Sequence, residues 1–269
     1  MLFTIITPTF NSDSTIKRTI ESILNQTNKD YEYLIIDGGS QDNTVEIIKQ
    51  YEPLFQGRLR WLSEKDTGIY NAMNKGIKMA NGKVIGIVNS DDWLEIDTLE
   101  IIKKTIINRE IDVAKPIVIT GEMRFHYLDG KSVVFKTSEK RYRHYAKVYR
   151  MGLNHPATFV SQSTYDQIGL FDENLQLFAD ADLFVRVYRN NVPVIFIDKI
   201  LSNMSDGGAS NIYSDKIKKD NTYILNKYCK SKLEYYWLLN QRKIISSMKR
   251  FSQGKFLTYL KKYRELRNN

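Results

Sequence analysis

Four short apolar runs, Leu2 to Thr7, Tyr31 to Ile36, Leu59 to Leu62 and Val84 to Val88, alternate with segments whose apolar residues recur at helical spacing. This alternation constrains the fold more than any other feature. Between the first two runs Ile16, Ile20, Ile23 and Leu24 fall at i, i+4, i+7 and i+8, the stripe of a helix facing a sheet. Thr44 to Tyr51 and Ile69 to Ala80 read the same way, the latter stopped by Asn81-Gly82. A further helix is expected over Ile96 to Ile107. Strands alternating with helices of about 10 to 15 residues build a parallel sheet with helices on both faces. Beyond the fourth run, Ile117 to Thr120 and Ser132 to Phe135 read as strands around a turn at Asp129-Gly130. A helix over Ala181 to Arg189 and a strand over Val194 to Ile197 complete the pattern.

Parallel strands put their carboxyl ends on one edge, where ligands of open α/β sheets bind. Pro8-Thr9-Phe10-Asn11 follows the first run, Asp37 the second, Glu64-Lys65-Asp66 the third and Asn89-Ser90-Asp91-Asp92 the fourth. No glycine-rich phosphate cradle follows the first strand, which argues against P-loop and dinucleotide folds. Without a cradle, a divalent cation held by Asp91 or Asp92 is the better way to neutralise a diphosphate. The competing reading is a solvated loop in which Ser90 or Asp92 caps a helix.

Charge divides the chain unevenly. Residues 211–269 hold 15 Lys/Arg against 4 Asp/Glu, whereas residues 1–210 hold 25 against 27. Basicity therefore belongs to the tail, which interleaves Tyr228, Tyr235, Tyr236 and Trp237 with lysines. Such a segment fits a helical appendage, an anionic membrane surface or a dimer contact. Nucleic acid is the weaker partner, because no helix-turn-helix, zinc-finger or RNP signature accompanies the charge. Cys229 is the only cysteine, so no internal disulfide or cysteine-based zinc site forms. No apolar run approaches the roughly 18 residues of a membrane span, and the start carries no signal-peptide pattern. The expectation is a cytoplasmic protein, peripheral at the inner face of the membrane if the tail binds lipid.

The chain resembles glycosyltransferase family 2 of the GT-A fold. The resemblance is carried by Thr4-Ile5-Ile6-Thr7-Pro8-Thr9-Phe10-Asn11, Ser22 to Thr27, Ile36-Asp37-Gly38-Gly39-Ser40 and Ser63 to Gly76. It continues through Asn89-Ser90-Asp91-Asp92, His155-Pro156-Ala157-Thr158-Phe159, Gly169 to Glu173 and Asp180-Ala181-Asp182-Leu183. It implies a mostly parallel, Rossmann-like sheet with helices on both faces and a C-terminal helical appendage. The implied divisions are a catalytic domain over 1–210, with a nucleotide-binding half over 1–110 and an acceptor-binding half over 111–210, and a basic tail over 211–269. The implied activity is inverting transfer of a sugar from a nucleotide diphosphate donor, a UDP-sugar foremost, to a saccharide or lipid-linked saccharide. Such enzymes often build surface polysaccharides.

The same resemblance assigns roles. Asp92 is the expected ligand of a manganese or magnesium ion, and Asp91 the contact to ribose or a bridging water. Pro8, Phe10, Asp37, Asp66, Tyr70 and Asn74 are expected near the donor nucleotide, although Tyr70 at helical spacing also suits a core position. Family members often carry Asp-Asp-Gly-Ser where this chain has Asp37-Gly38-Gly39-Ser40, so the base contacts are open. Asp180 is the expected catalytic base; the alternatives are Asp182, or that both carboxylates cap the helix. His155 and Asp182 are expected beside donor or acceptor, as are Gly207 and Gly208, in a segment closing over the donor. The alternative functions are a nucleotide-sugar binder without catalysis and, more remotely, a nucleic-acid-binding protein.

Overall fold

The computed structural model describes residues 1–206 and 215–241. Two compact units divide the chain, Met1–Asp220 and Asn221–Asn269. In the first, β1 (Phe3–Thr9), β2 (Tyr31–Asp37), β3 (Leu59–Ser63) and β4 (Val84–Ile87) form a parallel half-sheet in the order β3-β2-β1-β4. Every residue of β1, β2 and β4 is buried, as expected of strands covered on both faces, where apolar runs replace alternation. Helices α1 (Ile16–Leu24), α2 (Thr44–Tyr51) and α3 (Ile69–Met79) connect them. α1 buries Ile16, Thr19, Ile20 and Ile23, the stripe predicted from spacing. Each fully buried isoleucine of this kind contributes about 1.5–3 kcal/mol.

The second half of the sheet is mixed. β5 (Trp93–Leu94) follows Asp92 and α4 (Thr98–Asn108) follows it. Next come β6 (Val118–His126), β7 (Ser132–Phe135), α5 (Glu139–Lys147), β8 (Thr158–Ser161), α6 (Gln162–Ile168), α7 (Ala179–Arg189) and β9 (Val194–Ser205). The sheet runs on from β4 as β8-β6-β9-β5, with β7 paired to β6 as the hairpin expected around Asp129-Gly130. β8 is antiparallel to both β4 and β6, while β9 is parallel to β6 and antiparallel to β5. β9 extends eight residues past the expected Ile197, because its second half pairs with both β6 and β5 across an irregularity at Gly121–Met123. α4 begins at Thr98, two residues later than expected, leaving Ile96 exposed.

α8 (Asp215–Tyr228) spans the boundary between the units. In the second unit a further helix covers residues 232–241, with Leu233, Tyr236 and Trp237 exposed and Leu238 buried. No described helix is long and apolar enough to cross a membrane.

Candidate active site

The carboxyl edge of the parallel half-sheet carries three groups of polar residues. At the end of β2, Asp37 is wholly buried. One of its oxygens accepts the amides of Gly39 (3.1 Å) and Ser40 (3.0 Å) and the Ser63 hydroxyl (2.6 Å), and the other accepts the Ser40 hydroxyl. Its carboxylate is thus engaged in shaping the turn Gly38–Ser40. A Cβ placed on Gly38 would lie 3.3 Å from Asp66 Oδ2 and 3.4 Å from Phe10 Cδ2. Phe10, Gly38 and Asp66 therefore converge, with Phe10 largely exposed and Pro8 buried in β1. An aspartate at 38 would bring a second carboxylate against Asp66, which accounts physically for glycine in this chain. Asp66 is ion-paired with Lys75, which also meets Glu64 at 2.7 Å.

At the end of β4, Asp92 is wholly buried. Burial, reinforced by the charge of Asp91, pushes its carboxyl up to about 8. Asn89 Nδ2 donates to Oδ2 at 3.2 Å, while Asp92 Oδ1 and Asn89 Oδ1 are buried with no hydrogen-bond partner. Two orphaned oxygens beside a desolvated carboxyl form a donor set that suits a hard divalent cation. Among the described residues no group of three His, Cys, Asp or Glu side chains is placed to hold a metal. The protein alone therefore supplies a partial coordination shell. Burial also raises the Asp91 carboxyl above its usual range.

α1 fixes this loop from behind. Thr19 Oγ1 donates to the Asp92 carbonyl at 2.6 Å, and the hydroxyls of Ser12 and Ser90 pair at 2.9 Å. Arg18 donates to the Asp91 carbonyl and to Ser205 Oγ, both at 2.7 Å, with its guanidinium 3.8 Å from the Trp93 ring centroid. Trp93 in turn packs on His126, 4.9 Å between centroids. Arg18 was invisible as a site residue in the sequence, since it is one of two cations on α1, beside Lys17, and only the fold brings it to β5 and β9.

Asp180 lies in the first turn of α7, partly buried, with Oδ1 accepting the Ala181 amide at 2.7 Å. Burial pushes its carboxyl up to about 6, and the charge of Asp220 acts in the same direction. Tyr70, in the first turn of α3 and four residues after Asp66, reaches the backbone of Ala179 and Asp180. This contact brings the start of α7 to the edge of the sheet where β3 ends.

Several expected donor contacts are engaged within the protein. Asn74 is buried, its Nδ2 donating to the Phe171 carbonyl (2.9 Å) and Glu173 (2.7 Å) and its Oδ1 accepting the Phe171 amide (3.0 Å). Tyr70 is buried with its ring stacked on Phe171 at 5.6 Å. Asp182 is wholly buried and ion-paired with Arg186 at 2.8 Å, and Arg186 also donates to the carbonyls of Ile168, Gly169 and Leu170. The His155 ring packs against Phe171 and Phe184, and burial pushes its imidazole down to about 4, so it is neutral at pH 7. Gly207 and Gly208 lie outside the described residues.

Solved structures share this architecture. Staphylococcus aureus TarS in complex with UDP-GlcNAc superposes with a TM-score of 0.67 at 20% identity, covering 88% of this chain and 69% of that one. The mannosyltransferase PcManGT of Pyrobaculum calidifontis, in complex with GDP-Man and Mn2+, gives 0.60 at 16% identity, covering 88% and 68%. The fold is that of GT-A glycosyltransferases. The glycosyl transferase family 2 model matches residues 4–164, and the chain belongs to that family. A PGL/p-HBAD biosynthesis glycosyltransferase of Mycobacterium bovis is 30% identical over 222 residues, covering 80% of this chain and 81% of the relative. This protein is a glycosyltransferase.

Proposed function

We propose that the protein transfers a sugar, with inversion, from a nucleotide diphosphate donor to a hydroxyl of a saccharide or lipid-linked saccharide. A UDP-sugar is the preferred donor. The observation that carries this reading is the buried Asp92 carboxyl with its orphaned Oδ1, at the same edge of the sheet as the slot formed by Phe10, Gly38 and Asp66. Asp92, with Asn89 beside it, would hold a divalent cation at the donor diphosphate. When bound, such a cation neutralises the diphosphate and stabilises negative charge on the departing nucleotide. Asp91 contacts ribose or a bridging water, and Phe10 with Pro8 and Asp66 borders the base.

Asp180 acts as the base. The acceptor oxygen attacks the anomeric carbon as Asp180 takes its proton, and the bond to the diphosphate oxygen breaks with its electron pair leaving on the nucleotide. Attack opposite the leaving group inverts the configuration. A carboxyl raised to about 6 is ionised at neutral pH yet basic enough to assist a hydroxyl. Asn74, Tyr70 and Asp182 serve by holding α3 and α7 in place, and neutral His155 by packing beside α7.

A lipid-linked acceptor fits the second unit. Leu233, Tyr236 and Trp237 fall at i, i+3 and i+4 on one helix face, all exposed, just after Lys230 and Lys232. With the tail's excess of Lys/Arg, this pattern suits an anionic bilayer at the inner face of the membrane. The deciding experiment is the melting temperature with a panel of UDP-, GDP- and dTDP-sugars, with and without manganese. A cation-dependent rise with one nucleotide is expected, because a ligand that binds only the folded state stabilises it. No rise with any of them would overturn the donor-site reading.

A further inference from the structure

The helix that carries Asp180 has no cap of its own. Phe178 stands at the N-cap of α7 with φ −125° and ψ 25° and offers no side-chain acceptor. Helices leave their first amides unsatisfied, and an uncapped end frays. Here the acceptors come from two other helices. Asp220 of α8 is buried at 2% exposure, and its carboxylate accepts the amides of Gln176 (3.0 Å), Leu177 (2.7 Å) and Phe178 (3.1 Å). Tyr70 of α3 brings its hydroxyl to the next amides, those of Ala179 and Asp180. Three successive amides leading into α7 are therefore held by Asp220, and the Tyr70 hydroxyl lies beside the next two, all from side chains distant in sequence.

We infer that Asp220 and Tyr70 are positioning residues for Asp180, capping from α8 and α3 the junction Gln176–Asp180 and thereby holding the Asp180 carboxylate in register with the donor. The inference rests on the reading of Asp180 as the base. Asp220 lies some forty residues downstream of Asp180, in a segment whose composition reads as basic tail. A carboxylate held by three consecutive amides makes charge-assisted bonds, the strong kind, and fixes backbone as well as charge. Small displacements of a reacting group are costly: about 1 Å of misplacement lowers a rate on the order of 100-fold. Asp220 also lies near enough for its negative charge to raise the basicity of Asp180, in addition to the larger effect of burial.

The test compares full-length Asp220→Asn, Asp220→Ala, Tyr70→Phe, Asp180→Asn and the double variant Asp180→Asn/Asp220→Asn. The assay follows nucleoside diphosphate release from UDP-GlcNAc and GDP-mannose with manganese, alongside amide hydrogen exchange. Asp220→Asn and Asp220→Ala are expected to lower kcat by about tenfold or more, with donor KM changed by less than about twofold. Tyr70→Phe is expected to show a smaller loss of the same kind. The double variant should be no slower than Asp180→Asn alone, because Asp220 acts through the group already removed. Exchange at residues 176–181 should quicken in Asp220→Asn even where activity is too low to measure. Wild-type kcat and unchanged exchange in Asp220→Asn, or a double variant whose loss multiplies the two single losses, would overturn the positioning role. Wild-type turnover in Asp180→Asn would instead overturn the base assignment, a separate and recognisable failure.

Discussion

Asp180 and Asp92 are both desolvated carboxyls, yet their surroundings differ, and the roles proposed for them differ accordingly. Asp180 keeps partial exposure and a single local amide, so burial brings its pKa only to about 6. A base must be ionised, so kcat/KM is expected to rise with pH through about 6 and level off above it. Below that point it falls by about tenfold per pH unit. Asp180→Asn should cost about 10²–10⁴ in turnover while leaving the nucleotide-dependent rise in melting temperature intact. Asp92 is fully enclosed with one oxygen lacking a partner, an arrangement unfavourable to the fold by itself and suited to a cation. Asp92→Asn should therefore leave the melting temperature in chelator unchanged or slightly higher, while abolishing the manganese-dependent stabilisation by nucleotide. A loss of several degrees in chelator would show that the carboxylate is needed for folding.

Elements fix where these residues stand, and α3 is the pivotal one. Its N-terminal turn meets α7 through Tyr70, its middle clasps Phe171 and Glu173 through Asn74, and its C-terminal half lies against the sheet at Gly76. A Cβ at Gly76 would come within 2.5 Å of Ile6 Cγ2 and 3.3 Å of Ile36 Cγ1, both isoleucines wholly buried. Gly76→Ala gains about 1 kcal/mol in helix propensity but forces α3 away from β1, an overpacking cost of about 1–3 kcal/mol. The net expectation is a lower urea midpoint, with weaker donor binding because a displaced α3 carries its N-terminal turn, with Tyr70 and the preceding Asp66, along with it. The helices α1 and α3 were legible because each buries a regular apolar stripe, and α2 because Ile47 and Tyr51 pack on the core beside buried Ile48. α5 was not: in Glu139–Lys147 only Tyr142 and Ala146 are buried, and two anchors make no stripe. β8 and α6 were missed for a related reason, since four and seven residues are too short for a period to stand out.

At the scale of the whole chain, charge is segregated between near-neutral residues 1–210 and basic residues 211–269. The exposed face of Leu233, Tyr236 and Trp237 adds apolar contact to that charge. Co-sedimentation with anionic vesicles is expected, weakening as salt rises, because exposed charges are screened within about 8 Å at physiological ionic strength. Leu233→Ser combined with Trp237→Ser should reduce it severalfold without altering nucleotide-induced stabilisation. Equal binding to neutral and anionic vesicles, or none to either, would remove the membrane from this picture.

What the sequence determined by itself was the layered α/β plan and the family, because periodicity and ordered loop motifs are local and survive without coordinates. Ile16, Ile20 and Ile23 announce a helix on a sheet, and Asn89 to Asp92 announce a polar turn at a strand end, whatever the rest of the chain does. Only the tertiary structure decided how those side chains are used. Asp37, Asn74 and Asp182 are satisfied by amides, carbonyls and an arginine, whereas Asp92 keeps an unpartnered oxygen, and no spacing rule separates these fates. The same holds for Arg18 of α1, packed on Trp93, and for Asp220 at the start of α7. Hydrogen bonding and desolvation depend on neighbours placed by folding, some within the same turn, as Gly39 is for Asp37, and others as distant as Ser205, 187 residues from Arg18.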